Sequence, residues 1–355
     1  MTYRALSRSE TFCHRFGLRI PLLLAPMAGA SAPELSIAVM RAGGLGACGA
    51  LLMTPEEIAA WSGAVRADGG FNINLWVPDP PPLRDAARET NVCAFLAQWG
   101  PEVPAMAGDA QPYDFAAQCE AVLTAAPLAV SSIMGLFPPA FVARLKASGI
   151  AWFANATTLA EARAAEAAGA DVIVAQGMEA GGHRGAFDAA RAERDMVGLF
   201  ALVPAIVDAV RVPVVATGGI ADGRGIAAAL MLGASAAQIG TGFLRCPEAK
   251  IHAAWADALA GRAPEDTVVS RVFSGRAGRS LATEYVRAAT GPDAPQPAPY
   301  PVQRGLTAAM RRAAQQDHDV RRLQAWAGQA ANLALAEPAA ALVSRWWDET
   351  KNLLA

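Results

Sequence analysis

Short runs of β-branched and aliphatic residues alternate along the chain with Ala-rich stretches whose apolar positions recur at helical spacing. The runs predict strands at 22–28 (LLLAPMA), 45–50 (LGACGA), 71–77 (FNINLWV), 128–133 (LAVSSI), 151–157 (AWFANAT), 171–177 (DVIVAQG), 212–219 (VPVVATGG) and 236–243 (AAQIGTGF). Between most of them lies one predicted helix, as in TPEEIAAWSGAVRA, TLAEARAAEAAGA and DGRGIAAALMLGA. Several of these helices stop at glycine, a common helix end. The strands are apolar on both faces, as strands covered by helices should be. Eight strands in alternation with helices predict an α/β fold with parallel pairing, closed into a (β/α)8 TIM barrel; an open doubly wound sheet is the alternative.

Two stretches depart from this alternation. Residues 78–127 open on PDPPPLRD and contain the helical patterns NVCAFLAQWG and YDFAAQCEAVLTAA. An excursion of this length after a barrel strand falls on the active-site face and is a candidate lid. After residue 245 the pattern turns to helices and a proline-rich crossing segment, GPDAPQPAPYPVQ. That segment is too short to separate independent domains. The expectation is one domain over 1–355, with 78–127 as a helical insertion and 246–355 as a C-terminal extension packed on the barrel. Its tail, with Trp326, Trp346 and Trp347, is expected on the outside.

Composition narrows the function class. Of 355 residues, 53% are hydrophobic and 17% charged, enough for a large buried core, and the net charge of -2 favours neither nucleic acid nor an anionic membrane as partner. Five cysteines (Cys13, Cys48, Cys93, Cys119 and Cys246) are odd in number and never spaced CxxC, so neither a disulfide framework nor a metal site is expected. Reduced thiols, together with an N-terminus lacking the apolar core of a signal peptide, point to the cytoplasm. The longest uncharged run, GIAAALMLGASAAQIGTGFL, contains Gly, Ser, Gln and Thr and reads as helix, turn and strand rather than a membrane span. Gly44–Gly49 spells GxGxxG, but it follows a helix instead of opening one, so it reads as packing glycine. The oligomeric state stays open.

Candidate chemistry sits at strand ends. In barrels, the loops after strands seven and eight often cradle a phosphate, and here they carry ATGGIADGRG and QIGTGFL. Gly218, Gly219, Gly240 and Thr241 would let backbone N–H groups approach an anion. Such a cradle suits a substrate phosphate or flavin mononucleotide (FMN). Asn74 and Gln176, amides at two other strand ends, favour the flavin, because an amide both donates and accepts toward a heterocycle. Satisfying loop backbone is their alternative role. Pro26, Met27 and Ala28, at the first strand end, could lie against one flavin face. The loop AQGMEAGGHRG (175–185) places His183, one of four histidines, at a strand end where catalytic groups sit. Imidazole is the natural acid/base group there. Glu179 and Arg184 could pair within the loop, and no chemical role is assigned to them.

With these motifs in order, the chain resembles the FMN-dependent nitronate monooxygenases, formerly 2-nitropropane dioxygenases. The resemblance rests on PLLLAPMAGASAPELSIAVMRAGGLGACGA, FNINLWVPDP, AQGMEAGGHRG, ATGGIADGRGIAAALMLGASAAQIGTGFL and PYPVQRGLT, with QGxEAGGHRG the most specific. It implies a barrel with noncovalent FMN, and oxidation of alkyl nitronates, propionate 3-nitronate foremost, by O2 to carbonyl compound and nitrite through a flavin semiquinone. It puts flavin contacts on Pro26–Ala28, Asn74, Gln176, Gly181 with Gly182, Gly218 or Gly219, and the run Gln238, Ile239, Gly240 and Thr241. It makes His183 the acid/base residue and places Tyr300 at the pocket mouth, facing substrate. Three departures bear on substrate preference: Asn72 where glycine is usual, Thr217 where alanine is frequent, and no Arg-Asn ending after RGL. A flavin barrel that uses NAD(P)H, an enoyl-acyl-carrier-protein reductase or quinone reductase, is the alternative enzyme. A non-catalytic FMN-binding module is the alternative outside catalysis.

Overall fold

The computed structural model describes residues 2–30 and 32–355, with side chains from Ala5 onward. Eight parallel strands form the barrel, in chain order Leu22–Leu24, Gly46–Gly49, Phe71–Trp76, Ala129–Ile133, Ala151–Ala156, Val172–Gln176, Val214–Thr217 and Ala236–Ile239. Each pairs in parallel with its sequence neighbour from the second to the eighth, and the eighth pairs with the first, Leu23 opposite Gln238. A parallel bridge between Leu23 and Leu45 closes the ring. The barrel prediction therefore holds. The strands are shorter than predicted where they meet the site. The first ends at Leu24, before Pro26, which has no N–H to give to a ladder.

Strand alternation sorts the side chains. Leu24, Ile73, Val130, Ile173 and Ala237 point outward into the core shared with the helices. Inward positions near the strand N-termini are apolar: Leu23, Ala129, Phe153, Val174, Val215 and Ala236. Two residues further along several of these strands, the same inward face turns polar, with Ser131, Asn155, Gln176, Thr217 and Gln238. The barrel thus has an apolar floor and a polar upper end. The floor is sealed by a helix the sequence reading did not foresee, Thr2–Phe16. Its Phe16 ring meets Phe153 edge-on at 5.1 Å, and Phe12 completes the stack.

Most of the two irregular stretches lies over the opposite end, but within the first, helix Phe115–Ala125 packs beside helix Pro55–Val65 as the third barrel helix, so the insertion is shorter than predicted. Helix Ala86–Leu96 packs with residues 272–310 in one apolar cluster containing Val92, Leu96, Phe273, Tyr285 and Val302. The last helix, Ala339–Leu354, packs between the helices Gly223–Met231 and Pro33–Ala42, where the eighth barrel helix belongs. Residues between the eighth strand and this helix form a long βα excursion of their own. Within it, strands Thr267–Ser270 and Gly278–Leu281 make an antiparallel pair. No helix among the described residues is long and apolar enough to cross a membrane.

Candidate active site

A cavity of about 350 Å³ opens at the polar end of the barrel. Pro26, Met27, Ala28, Asn74 and Gln176 line it, with Gly181, Gly182 and His183 from the loop after the sixth strand. Gly218, Gly219, Gln238, Gly240 and Thr241 complete the wall at the seventh and eighth strand ends. Two other predicted residues lie elsewhere. Ile239 is almost fully buried in the core between barrel and helices, its side chain directed away from Gln238's. Tyr300 lines a second cavity of about 380 Å³, walled by the proline run 80–82 and Tyr113. Trp76 and Leu51 border both cavities.

The loop 177–185 is clamped into place. Gly182–His183 adds as a short antiparallel strand to Gly278–Leu281, His183 opposite Gly278. Gln176 fixes the loop from beneath: its amide N–H donates to the His183 carbonyl at 3.1 Å and its oxygen accepts from Gly185 N at 2.8 Å. Gly181 permits a close crossing, since a Cβ there would lie 2.5 Å from the Gly328 nitrogen. Thr241 Oγ1 accepts from that same Gly328 N–H at 3.0 Å, so it braces the crossing. Gly218 adopts φ 120°, open to glycine and strained for other residues. Glu179 and Arg184 are structural in their contacts. Glu179 accepts from Leu199 N, at the start of helix Leu199–Val207. Arg184 is buried and donates to the Gly177 carbonyl at 2.8 Å; burial pushes its guanidinium down to about 10.

His183 sits between two indoles. Trp76 meets its ring edge-on and Trp326 tilts against it, each at 4.8 Å between centroids. Trp326 therefore belongs to the site, not to the outer surface where the sequence pattern put it. The Gly278–Leu281 strand carries the next segment over the mouth through the bridge Ser280–Trp326. The His183 Nε2 lies 2.7 Å from Ser274 Oγ. Burial, together with the nearby Arg304 and Arg276 charges, pushes the His183 imidazole down to about 3. The ring is thus neutral at ordinary pH, a lone-pair holder and hydrogen-bond donor but not a cation. Arg276 is itself buried and paired with Asp79, which ties the two excursions together.

Other wall residues were not singled out by the sequence reading. Ser131 accepts from both Asn72 and Asn74 at 3.0 Å, which accounts for the asparagine at position 72: it belongs to a buried polar cluster. Asn155 lines the cavity, and its buried Nδ2 has no protein partner. The i, i+2 polar pattern at strand ends was the signal that could have found Ser131 and Asn155.

A family model described as nitronate monooxygenase matches residues 10–348. The chain belongs to the nitronate monooxygenase family. It is 42% identical to a nitronate monooxygenase of Paraburkholderia phytofirmans, over 94% of this chain and 93% of that one. It is 38% identical to a nitronate monooxygenase of Pseudomonas aeruginosa, over 97% and 99%. Among solved structures, a nitroalkane oxidase from Streptomyces ansochromogenes superposes with a TM-score of 0.86 at 34% identity, covering 95% of this chain and 98% of that one. FabK from Thermotoga maritima follows the same barrel with a TM-score of 0.75 at 26% identity, covering 96% of each chain. Membership in the nitronate monooxygenase family makes the protein an oxidoreductase of nitronates.

Proposed function

We propose that the protein holds noncovalent FMN in the main cavity and oxidises small alkyl nitronates, propionate 3-nitronate foremost, with O2 to a carbonyl compound and nitrite. The observation carrying this reading is the joint placement of His183 and the two glycine loops around one cavity. The residues present fit FMN. The loops at Gly218–Gly219 and Gly240–Thr241 offer the phosphate backbone N–H groups without side-chain obstruction. The orphaned Asn155 Nδ2 offers a donor to an acceptor on the ring system. Met27 and Ala28 supply an apolar wall for a flat ring. Bound FMN would accept electrons from the nitronate and pass them to O2.

The protein's own residues bind, orient and shield. Trp76 and Trp326 exclude water around His183. The neutral imidazole presents a hydrogen bond to a nitronate without becoming an ion pair. The same imidazole is the group in reach to take a proton from a neutral nitroalkane, although its lowered basicity makes it weak in that role.

Anaerobic mixing of the purified protein with propionate 3-nitronate, and separately with NADH, tests the proposal. Flavin bleaching by the nitronate, with nitrite released once O2 is admitted, is the expected result. Rapid bleaching by NADH and none by nitronate would favour a nicotinamide-dependent reductase instead. Inertness toward both would favour a binding module.

A further inference from the structure

The main cavity has an asymmetric charge. Three arginines (Arg304, Arg311 and Arg312) line it, and among the described residues no aspartate or glutamate does. All three lie on the C-terminal excursion, away from the glycine loops. Arg312 and Gln315 are exposed, so the arginines edge the side that opens to solvent.

The three differ in what holds them. Arg311 is fully engaged: Nε donates to Thr307 Oγ1 at 3.2 Å, Nη1 to Gln324 at 3.2 Å and Nη2 to the Arg304 carbonyl at 2.9 Å. The helix Val302–Leu306 is pinned on both sides of Arg304. Gln303 donates to the Val272 carbonyl at 2.9 Å, and Thr307 donates to the Phe273 carbonyl at 2.7 Å. The backbone at Arg304 is therefore rigid, yet its half-buried guanidinium has no ion pair or hydrogen bond among the described residues. Burial lowers its basicity, and the groups that favour its charge are two phenols, Tyr300 and Tyr113, with no carboxylate among them. A guanidinium withdrawn from water with no acceptor is costly, and a ligand that supplies the acceptor recovers that cost. The planar fork of arginine fits a carboxylate with two parallel hydrogen bonds.

We propose that Arg304 determines specificity by binding a carboxylate on the alkyl chain of the nitronate, so that the site takes a short dianion with its nitronate end toward His183. This rests on the proposed oxidation of nitronates and adds the group that recognises the far end of the substrate. Arg311 acts as the brace of Arg304 through its hydrogen bond to the Arg304 carbonyl.

Two measurements test it in the flavin-loaded protein. The first titrates succinate and butyrate against the flavin absorbance spectrum. Succinate has the chain length of propionate 3-nitronate and a planar anion at each end; butyrate has the same length and one anion. Wild type should bind succinate at least roughly tenfold more tightly than butyrate, and Arg304→Gln should close most of that gap. Equal binding of the two acids by wild type, or an unchanged gap in the variant, overturns the proposal. This arm needs no turnover, so it reads Arg304 even if nitronate oxidation itself fails. The second compares kcat/KM for propionate 3-nitronate and for butyl nitronate. The preference for the carboxylate substrate should fall roughly ten- to a hundredfold in Arg304→Gln, mainly through KM, with partial recovery in Arg304→Lys. Equal losses on both substrates would place Arg304 at the nitronate group or the flavin and overturn the assignment.

Discussion

His183 Nε2 and the Ser274 hydroxyl stand 2.7 Å apart, though 91 residues separate them in the chain. Ser274 Oγ also donates to the Arg276 carbonyl at 3.2 Å. The hydroxyl serves either ring tautomer: it accepts from Nε2–H with its own proton on the Arg276 carbonyl, or it donates to the Nε2 lone pair. Nδ1 is then an open lone pair in the first tautomer and an open N–H in the second, and Ser274 holds the ring's orientation in both. Ser274→Ala should lower kcat roughly two- to tenfold, by releasing the ring, while flavin content stays at the wild-type level. Ser274→Thr should retain most of the rate. Steady-state kinetics beside the flavin-to-protein absorbance ratio reads both; flavin loss in Ser274→Ala would mean that the serine supports the loop rather than the imidazole.

The lowered basicity of His183 has a consequence for stability. An unfolded histidine titrates near 6.5, whereas His183 in the fold is pushed to about 3 by burial. Between those values the unfolded chain binds the extra proton, so this residue's contribution is complete above about pH 6.5 and is lost progressively as pH falls toward 3. His183→Asn should flatten that part of the acid slope. Melting temperature measured from pH 7 to pH 4, wild type against variant, checks it; parallel curves would show that His183 is protonated as easily in the fold as outside it.

The glycine at 240 should control flavin retention. A Cβ there would sit 3.3 Å from Ala25 Cβ and Met27 Sδ, so any longer side chain must extend into the cavity. Wild type is expected to purify with one noncovalent FMN, and Gly240→Leu to lose most of it without unfolding. Flavin released by heat and quantified by chromatography decides; full retention in the variant would move the phosphate elsewhere.

The barrel was readable because each strand carries its own local signal: a β-branched run bounded by polar turns. The same holds for the placement of Gln176, Gly218 and Gly240 at strand ends around the cavity. What was not readable arrives from far along the chain. Ser274 reaches His183, and Arg304 and Trp326 reach the cavity, only because the stretch between the eighth strand and the last helix folds back over the mouth, and nothing local in FSGRAGRS or RLQAWAG announces that. Tyr300 illustrates the limit from the other side. Its segment was identified, but stacking on Trp76 at 5.0 Å turns its ring into the neighbouring cavity. The floor helix was missed although its Phe12 and Phe16 lie four apart on one face.

The floor itself can be weighed. Phe153 is 1% exposed and lies against Phe16 and Phe12 at the closed end of the barrel. Phe153→Ala would leave a cavity where strand and helix meet, and should cost about 3–5 kcal/mol of stability. Since Phe153 lies one inward position below Asn155, the loss should appear in denaturant midpoint before it appears in flavin content. A variant as stable as wild type would mean that the helix Thr2–Phe16 can collapse into the space.

The last prediction separates two things His183 could do. A neutral nitroalkane must lose a C–H proton before its electrons can leave, and a nitronate has already lost it. Only the first substrate needs a base. The imidazole is in place for that work, yet burial and two arginine charges push it down to about 3, well below the range where a base is efficient. Wild type should therefore oxidise a preformed nitronate far faster than the parent nitroalkane at the same pH. His183→Asn keeps a polar side chain but removes the base. It should lose the residual nitroalkane activity by about 10²-fold, the lower end of what general-base removal costs. Nitronate oxidation should fall much less, because there the ring offers only a hydrogen bond. Flavin content should not change, since the glycine loops, and not His183, surround the expected phosphate position. Kinetics on one nitroalkane and its nitronate, in both proteins, read the difference. Equal losses on the two substrates would show that His183 orients the bound anion and is no base at all. No loss on either would remove it from the chemistry, despite its position between Trp76 and Trp326.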